Sequence, residues 1–286
     1  MIVKPLHEKR AMLGEGPTWD DTNNRLYWVD FTGQAICFWD EAINEVTSVP
    51  TSHKVSAFAL GHNKQPVVAT EAGFQLLNVE TGECTKLLDP EEENEANRFN
   101  DGKVDPHGRF WAGSISADRS PTAALYCMYD TETVITKLRG VCNSNGLAWS
   151  PDAKMFYHID TTMLQVFAYD YEKKSGDITN RHVVIDFNDR GFGKPDGMTI
   201  DIEGKLWIAH WGGGMVSRWC PLTGEQLAAI TIPTVNVTSC TFGGMNLDTL
   251  FITTARNEAD QEDTEGGKVF MVKVGVQGLP TNRCVF

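Results

Sequence analysis

The chain lacks the features that mark several large protein classes. No run of about 18 apolar residues exists, so no stretch of it can cross a bilayer as a helix. No amphipathic helical pattern persists over ten residues or more, which argues against bundles and αβ-alternating folds. The 7 Cys (37, 84, 127, 142, 220, 240 and 284) include no C-x-x-C pair and are odd in number. A disulfide framework or zinc knuckle is therefore disfavoured, and reduced thiols fit better. Basic residues are also scarce: the formal charge is −13, which disfavours nucleic acid because a phosphate-binding surface needs a basic patch. The first ten residues show no apolar core followed by a small-residue cleavage site, so a cytoplasmic location is expected. No G-x-S-x-G elbow is present, which weakens a serine-nucleophile chemistry.

What is present is repetition. A strand, a turn at Asp, Pro, Gly or Asn and a second strand with a central aromatic recur as "GPTWDDTNNRLYWVD" (16–30), "GKVDPHGRFWAGS" (102–114), "GLAWSPDAKMFYHID" (146–160) and "GMTIDIEGKLWIAHW" (197–211). Looser copies are "SAFALGHNKQPVVAT" (56–70) and "SCTFGGMNLDTLFITTA" (239–255). Their centres, Trp28, Val68, Trp111, Tyr157, Trp207 and Phe251, are 40 to 50 residues apart. Each copy runs on into two more strand candidates joined by hairpin-type turns. Four antiparallel strands at this period predict an all-β, six-bladed β-propeller occupying residues 1–286 as one domain. A β-sandwich would also give short strands and turns, but not a six-fold recurrence. "IVKPL" near the start is expected to close the ring beside "GKVFMVKVGV" (267–276), removing exposed edges.

In a propeller the first strand of each blade lines the central channel. Aligned on the Gly that opens that strand, four copies place an acid or amide before it: Glu15, Asp101, Asn145 and Asp196. Such groups converging from separate blades repel one another unless a cation or hydrogen bonds compensate. A divalent cation is the economical compensation, and oxygen ligands suit hard ions better than the N/S shell usual for zinc. Asx-Gly and Glu-Gly are also ordinary turn dipeptides, which explains any single copy but not four at one register. Other candidates carry less. His158, inside a strand, reads as a packing residue. Gly212 to Gly214 precede no helix and read as a blade turn, not a phosphate loop. Cys220 has no base near it in sequence, and the acidic run from Asp89 to Glu95 reads as a solvated loop or short helix.

The blocks "LGEGPTWDDTNNRLYWVD", "RFNDGKVDPHGRFWAGS", "NSNGLAWSPD", "KPDGMTIDIEGKLWIAHWGGG" and "VTSCTFGG...LFITTA" resemble the signature blocks of the gluconolactonase / senescence marker protein (regucalcin) / luciferin-regenerating enzyme family, in the same order and across nearly the whole chain. The resemblance implies one divalent cation in the channel and hydrolysis of sugar-acid lactones. Carried over by position, Glu15, Asn145 and Asp196 would ligate the metal, Ca2+ foremost, with Zn2+, Mn2+, Mg2+ or Fe2+ as alternatives. Arg98 and Asn100 would hold the substrate, and Asp196 would act as general base. Asp101 is expected to support the ligands from behind. One block departs from the family: the loop after "WAGS" lacks the Glu that animal members show before their "LY" strand, and Arg119 lies near its place as a candidate substrate contact. The expected partner is a small sugar lactone, with no nucleic acid or membrane and a monomeric or weakly self-associating chain. Two rivals stay open: a metal-dependent esterase or phosphotriesterase, and a non-catalytic calcium-binding propeller.

Overall fold

The structure, a computed structural model, describes residues 1–62, 65–188, 190–257, 259–260 and 262–286. A short strand β1 (Lys4–Pro5) comes first. The first blade is β2 (Gly14–Asp20), β3 (Arg25–Asp30), β4 (Ala35–Asp40) and β5 (Glu45–Pro50). The second is β6 (Val55–Ala59), β7 (Val67–Thr70), β8 (Gly73–Leu77) and β9 (Cys84–Leu88). The third is β10 (Asn97–Val104), β11 (Phe110–Ser116), β12 (Ala123–Asp130) and β13 (Thr133–Val141). The fourth is β14 (Ser144–Trp149), β15 (Met155–Asp160), β16 (Gln165–Glu172) and β17 (Asp177–Asp186). The fifth is β18 (Lys194–Ile200), β19 (Leu206–Trp211), β20 (Met215–Cys220) and β21 (Glu225–Thr231), and the last is β22 (Val237–Gly243), β23 (Thr249–Thr254) and β24 (Phe270–Lys273). Each sheet has four antiparallel strands, and the sixth is completed by β1, making a six-bladed β-propeller. Among the described residues no helix forms.

All six predicted hairpins are present as the first two strands of successive blades, although Asn63 and Lys64 in the second lie outside the described residues. Their predicted centres are all buried, from Val68 at 0 % exposed to Tyr157 at 4 %. Side chains on a strand alternate between faces, so these residues fill the space between one blade and the next. Burying each aromatic centre contributes on the order of 2–3 kcal/mol.

The turns are fixed by the acids that the repeat places there. Asp105 Oδ1 accepts the backbone N–H of His107 at 2.8 Å and of Arg109 at 3.0 Å, while Oδ2 accepts Trp111 Nε1–H at 2.8 Å. Asp201 repeats the device on Glu203, Lys205 and Trp207 Nε1. One carboxylate thus sets both the hairpin and the depth of its Trp.

Ring closure follows the expected route. Lys4 lies opposite Met271 and Pro5 opposite Phe270, and Leu6 N–H donates to Val269 O at 2.8 Å. The innermost strands β2, β6, β10, β14, β18 and β22 pack in that order around the channel, with β22 returning to β2. A second fastening crosses the underside. Gly278 bridges to Asp201, Asn282 Nδ2 donates to Val104 O at 3.1 Å, Arg283 pairs with Asp20, and Cys284 N–H donates to Leu60 O at 2.8 Å. The last residues therefore tie together blades far apart in sequence. They also floor a cavity of about 330 Å³ in the lower channel, lined in part by Thr18, Asp101, Lys103, Thr199, Thr241 and Pro280.

Candidate active site

Six of the seven predicted site residues, all but Arg119, lie inside the innermost strands, not ahead of them. Glu15 is in β2, Arg98, Asn100 and Asp101 in β10, Asn145 in β14 and Asp196 in β18. In every innermost strand the pairing slips at this level: between Glu15 and Thr18, Val55 and Ala57, Phe99 and Gly102, Asn145 and Leu147, Pro195 and Met198, and Val237 and Ser239. Each slip inserts one extra residue, a β-bulge that re-aims the side chains beside it. The recurring X-Gly dipeptides are thus bulges in the channel wall. They are not turns.

Three of the four Gly members, Gly102, Gly146 and Gly197, have no room for a side chain. A Cβ on Gly146 would lie 2.8 Å from Asp196 O and 2.6 Å from Ile159 Cδ1, and one on Gly197 would lie 2.1 Å from Ser239 Oγ. Neighbouring innermost strands approach closely enough here to bring residues of separate blades into one cluster.

Asn145 is 4 % exposed and Asp196 6 %, while Glu15 is recessed in the channel. Burial, and then the charges of Asp196 and Asp101, push the Glu15 carboxyl well above the usual carboxylate range. Asp196 is raised as strongly, by burial first and the Asp101 charge second. Among the described residues neither Glu15 nor Asp196 has an ion-pair partner. Asn145 is oriented across the blade boundary: its Nδ2 donates to Thr161 Oγ1 at 2.9 Å, and that hydroxyl donates to Pro195 O at 2.7 Å. Oδ1 is then the atom of the carboxamide left to face a ligand.

Asp101 differs from the other three. Among the described residues no group of three or more His, Cys, Asp and Glu side chains is placed to hold a metal ion, although the Asp101 charge acts on both Glu15 and Asp196. Its Oδ1 accepts the backbone N–H of Gly102 at 2.7 Å, and it lines the lower cavity with Lys103. Lys103 Nζ donates to Met198 O at 2.6 Å, and burial pulls its pKa down against the opposing charge of Asp101. The sequence reading missed this lysine. Strand alternation was the available signal, since residues two apart share a face.

Arg98 and Asn100 lie toward the upper mouth. The Arg98 guanidinium stacks 4.3 Å from the centroid of Phe31, and Nη1 donates to Phe99 O at 2.9 Å. Asn100 Nδ2 donates to Ser144 O at 2.9 Å and Asn143 Oδ1 at 3.2 Å, which locks it to the fourth blade. Burial lowers the Arg98 pKa, and the like charge of Arg119 lowers it further. Arg119 itself is exposed, in the loop between β11 and β12.

Several lesser expectations find their places. His158 is buried, with Nε2 2.8 Å from Ser144 Oγ, and burial pulls its pKa down to about 3. Gly212 to Gly214 form the turn between β19 and β20. The acidic run is a turn-rich loop, although Glu91 reaches inward to accept hydrogen bonds from Ser114 Oγ at 2.5 Å and Asn97 Nδ2 at 3.1 Å. Cys220 gains in space what it lacks in sequence: Lys205 Nζ is 3.3 Å from Sγ, and hydrogen bonding, with Thr223 foremost, lowers the thiol to about 7.

Residues 13–256 match the SMP-30/Gluconolactonase/LRE-like region. The chain belongs to this family. Among its relatives, regucalcin of Xenopus laevis is 37% identical over 278 residues, covering 93% of this chain and 93% of that protein. A Bacillus subtilis protein provisionally named a sugar lactone lactonase is 37% identical over 283 residues, covering 96% of each. Among solved structures, regucalcin of Agrobacterium tumefaciens, described as a calcium-binding protein, superposes with a TM-score of 0.93 at 25% identity, covering 100% of this chain and 98% of that one. The SMP-30/gluconolactonase family assignment and the propeller expected from the sequence are both borne out.

Proposed function

We propose that the chain is a divalent-metal-dependent hydrolase that opens 1,4- or 1,5-lactones of aldonic acids, acting as a single propeller domain in the cytoplasm. The observation that carries this reading is a pair of carboxylates, the half-buried Glu15 and the buried Asp196, raised by desolvation and neighbouring negative charge and without an ion-pair partner among the described residues. Together with Asn145 Oδ1 they make an all-oxygen donor set that fits a hard cation, Ca2+ first. The name of the Bacillus subtilis relative supports lactone chemistry, and the name of the Agrobacterium tumefaciens relative supports calcium. Bound there, such an ion would polarise the lactone carbonyl and make a coordinated water more acidic.

The chain's own residues would do the rest. Asp196 would accept a proton from the attacking water. The ring oxygen leaves as the ester bond breaks and becomes the hydroxyl of the open acid. Asn100, held by the fourth blade, and Arg98, braced on Phe31, would grip ring hydroxyls or the carbonyl oxygen. Arg98 beside the acids favours an enzyme over a passive calcium binder, since its charge already reaches Glu15.

The test is acid release in a pH-stat across a panel of aldonolactones, with calcium and after chelation. Turnover is expected to need metal, and Asp196→Asn is expected to lower kcat by about a hundred- to ten-thousandfold. Failure to open any lactone with any divalent ion would overturn the assignment, and calcium binding without turnover would favour the binding protein.

A further inference from the structure

The upper mouth of the channel collects cations, although the chain as a whole is acidic. Phe31 carries the Arg98 guanidinium at 4.3 Å and Lys54 Nζ at 5.9 Å from its centroid. Arg119 enters from the third blade. Its loop leaves β11 just after Ile115 and Ser116, which pair with Arg98 and Asn97 of β10, and its own N–H donates to Ser116 O at 3.2 Å. Among the described residues none of these three cations is in an ion pair. Three acids lie near without pairing with them: Glu15, whose charge reaches Arg98 from the channel, Asp118 and Glu71. Asp118 Oδ1 is occupied by Ser120 N–H at 2.9 Å and Ser116 Oγ at 3.2 Å, and Glu71 Oε1 is 3.5 Å from the Lys54 backbone N.

We propose that Arg119, with Arg98 and Lys54, forms a subsite for an anionic group on the substrate, so that the preferred lactone carries a carboxylate or phosphate at the end remote from the reacting carbonyl. This rests on the lactonase reading for the position of the carbonyl. The like charge of Arg119 is felt at Arg98, an anion that both can touch relieves it, and Arg binds carboxylate and phosphate through paired N–H donors. Arg98 and Arg119 come from the third blade and Lys54 from the segment leading into the second, which puts the subsite at the rim. The carboxylate pair lies below it in the channel. A linear sugar-acid skeleton can span that offset, with its carbonyl at Asp196 and its charged end at the mouth.

The experiment compares gluconolactone with glucaro-1,4-lactone and 6-phosphogluconolactone in calcium buffer, in the parent chain and in Arg119→Ala and Arg119→Glu. In the parent, kcat/KM for at least one charged lactone is expected to exceed that for gluconolactone by about three- to tenfold, a range set by a partly exposed charge-assisted contact. The ratio should fall toward one in R119A and invert in R119E, and the better of the two charged lactones identifies the anion. A parent ratio at or below one, or a ratio untouched by R119A, overturns the subsite. If no lactone is opened, the lactonase reading fails instead, and thermal shifts with glucarate, 6-phosphogluconate and gluconate decide the subsite alone. A larger shift with glucarate or 6-phosphogluconate than with gluconate that disappears in R119A supports it. Equal shifts with all three overturn it.

Discussion

Thr161 shows how much of the site hangs on a residue that touches no ligand. Its hydroxyl takes Asn145 Nδ2–H and gives its own proton to Pro195 O, the residue before Asp196, so one side chain aligns two proposed ligands from different blades. Thr161→Val keeps the shape and removes both bonds, leaving a buried carbonyl and a buried amide N–H without partners. The expected cost is about 1–3 kcal/mol in urea unfolding, with calcium affinity falling alongside, and Thr161→Ser should restore both. A Val variant that binds calcium as tightly as the parent would show that Asn145 is held by something else. Nothing in the sequence pointed to Thr161. It follows the end of β15, and its partner at Pro195 is 34 positions away, so the contact exists only once the blades have been stacked. Glu15, Asn145 and Asp196 can be proposed as ligands from the sequence because they share one register in the repeat. Asp101 shares that register too, yet the structure turns it toward Lys103 and the lower cavity, a distinction that repeat alignment has no means to draw.

At the scale of the strand, the decisive element is the bulge. The sequence pattern makes "RFND" the entrance to the third blade and opens its first strand only at Gly102. The structure runs β10 from Asn97 straight through it. The extra residue at Phe99/Gly102 breaks the alternation without ending the strand, and a pattern search reads that as a strand boundary. All six innermost strands have such a bulge, so the same misreading moved every candidate ligand from the channel wall to a position in front of it. The glycines acquire a different meaning as well. Gly197 serves the close approach of β18 to β22, where a Cβ would also lie 2.9 Å from Ser239 Cα, a backbone atom with nowhere to go. Gly197→Ala should therefore push these strands apart, at an expected cost of about 1–3 kcal/mol, and displace Asp196 beside it. Thermal denaturation and calcium titration together check this: lost stability with calcium affinity intact would mean that the bulge tolerates the shift without moving its ligand.

The whole molecule was legible where the repeat was legible. Six hairpins, their buried centres and closure by the first strand all follow from one period. The underside was not: the segment from Gly278 onward has no repeat partner, and its links to Asp201, Val104, Asp20 and Leu60 depend on blades that the chain had already built. One global property can be derived from buried groups in the fourth and fifth blades. His158 is held neutral beside Ser144, with a pKa near 3, and His210 beside Ser217, with burial lowering its pKa to about 4. In the unfolded chain both titrate near 6.5. Between about pH 6.5 and 4 the unfolded state therefore holds more protons, so stability must fall with pH, by up to about 1.4 kcal/mol per pH unit for each histidine. Glu15 and Asp196 act in the opposite sense, because carboxyls raised in the fold are relieved by protonation. The net curve is a sum, and a single substitution isolates one part of it. His158→Gln should be less stable than the parent at pH 7.5, and the gap should close by about 2 kcal/mol on going to pH 5, as the unfolded parent takes up a proton that the variant cannot. Urea denaturation at pH 7.5, 6 and 5 measures that gap. Parallel curves would mean that His158 titrates in the fold as it does in the unfolded chain.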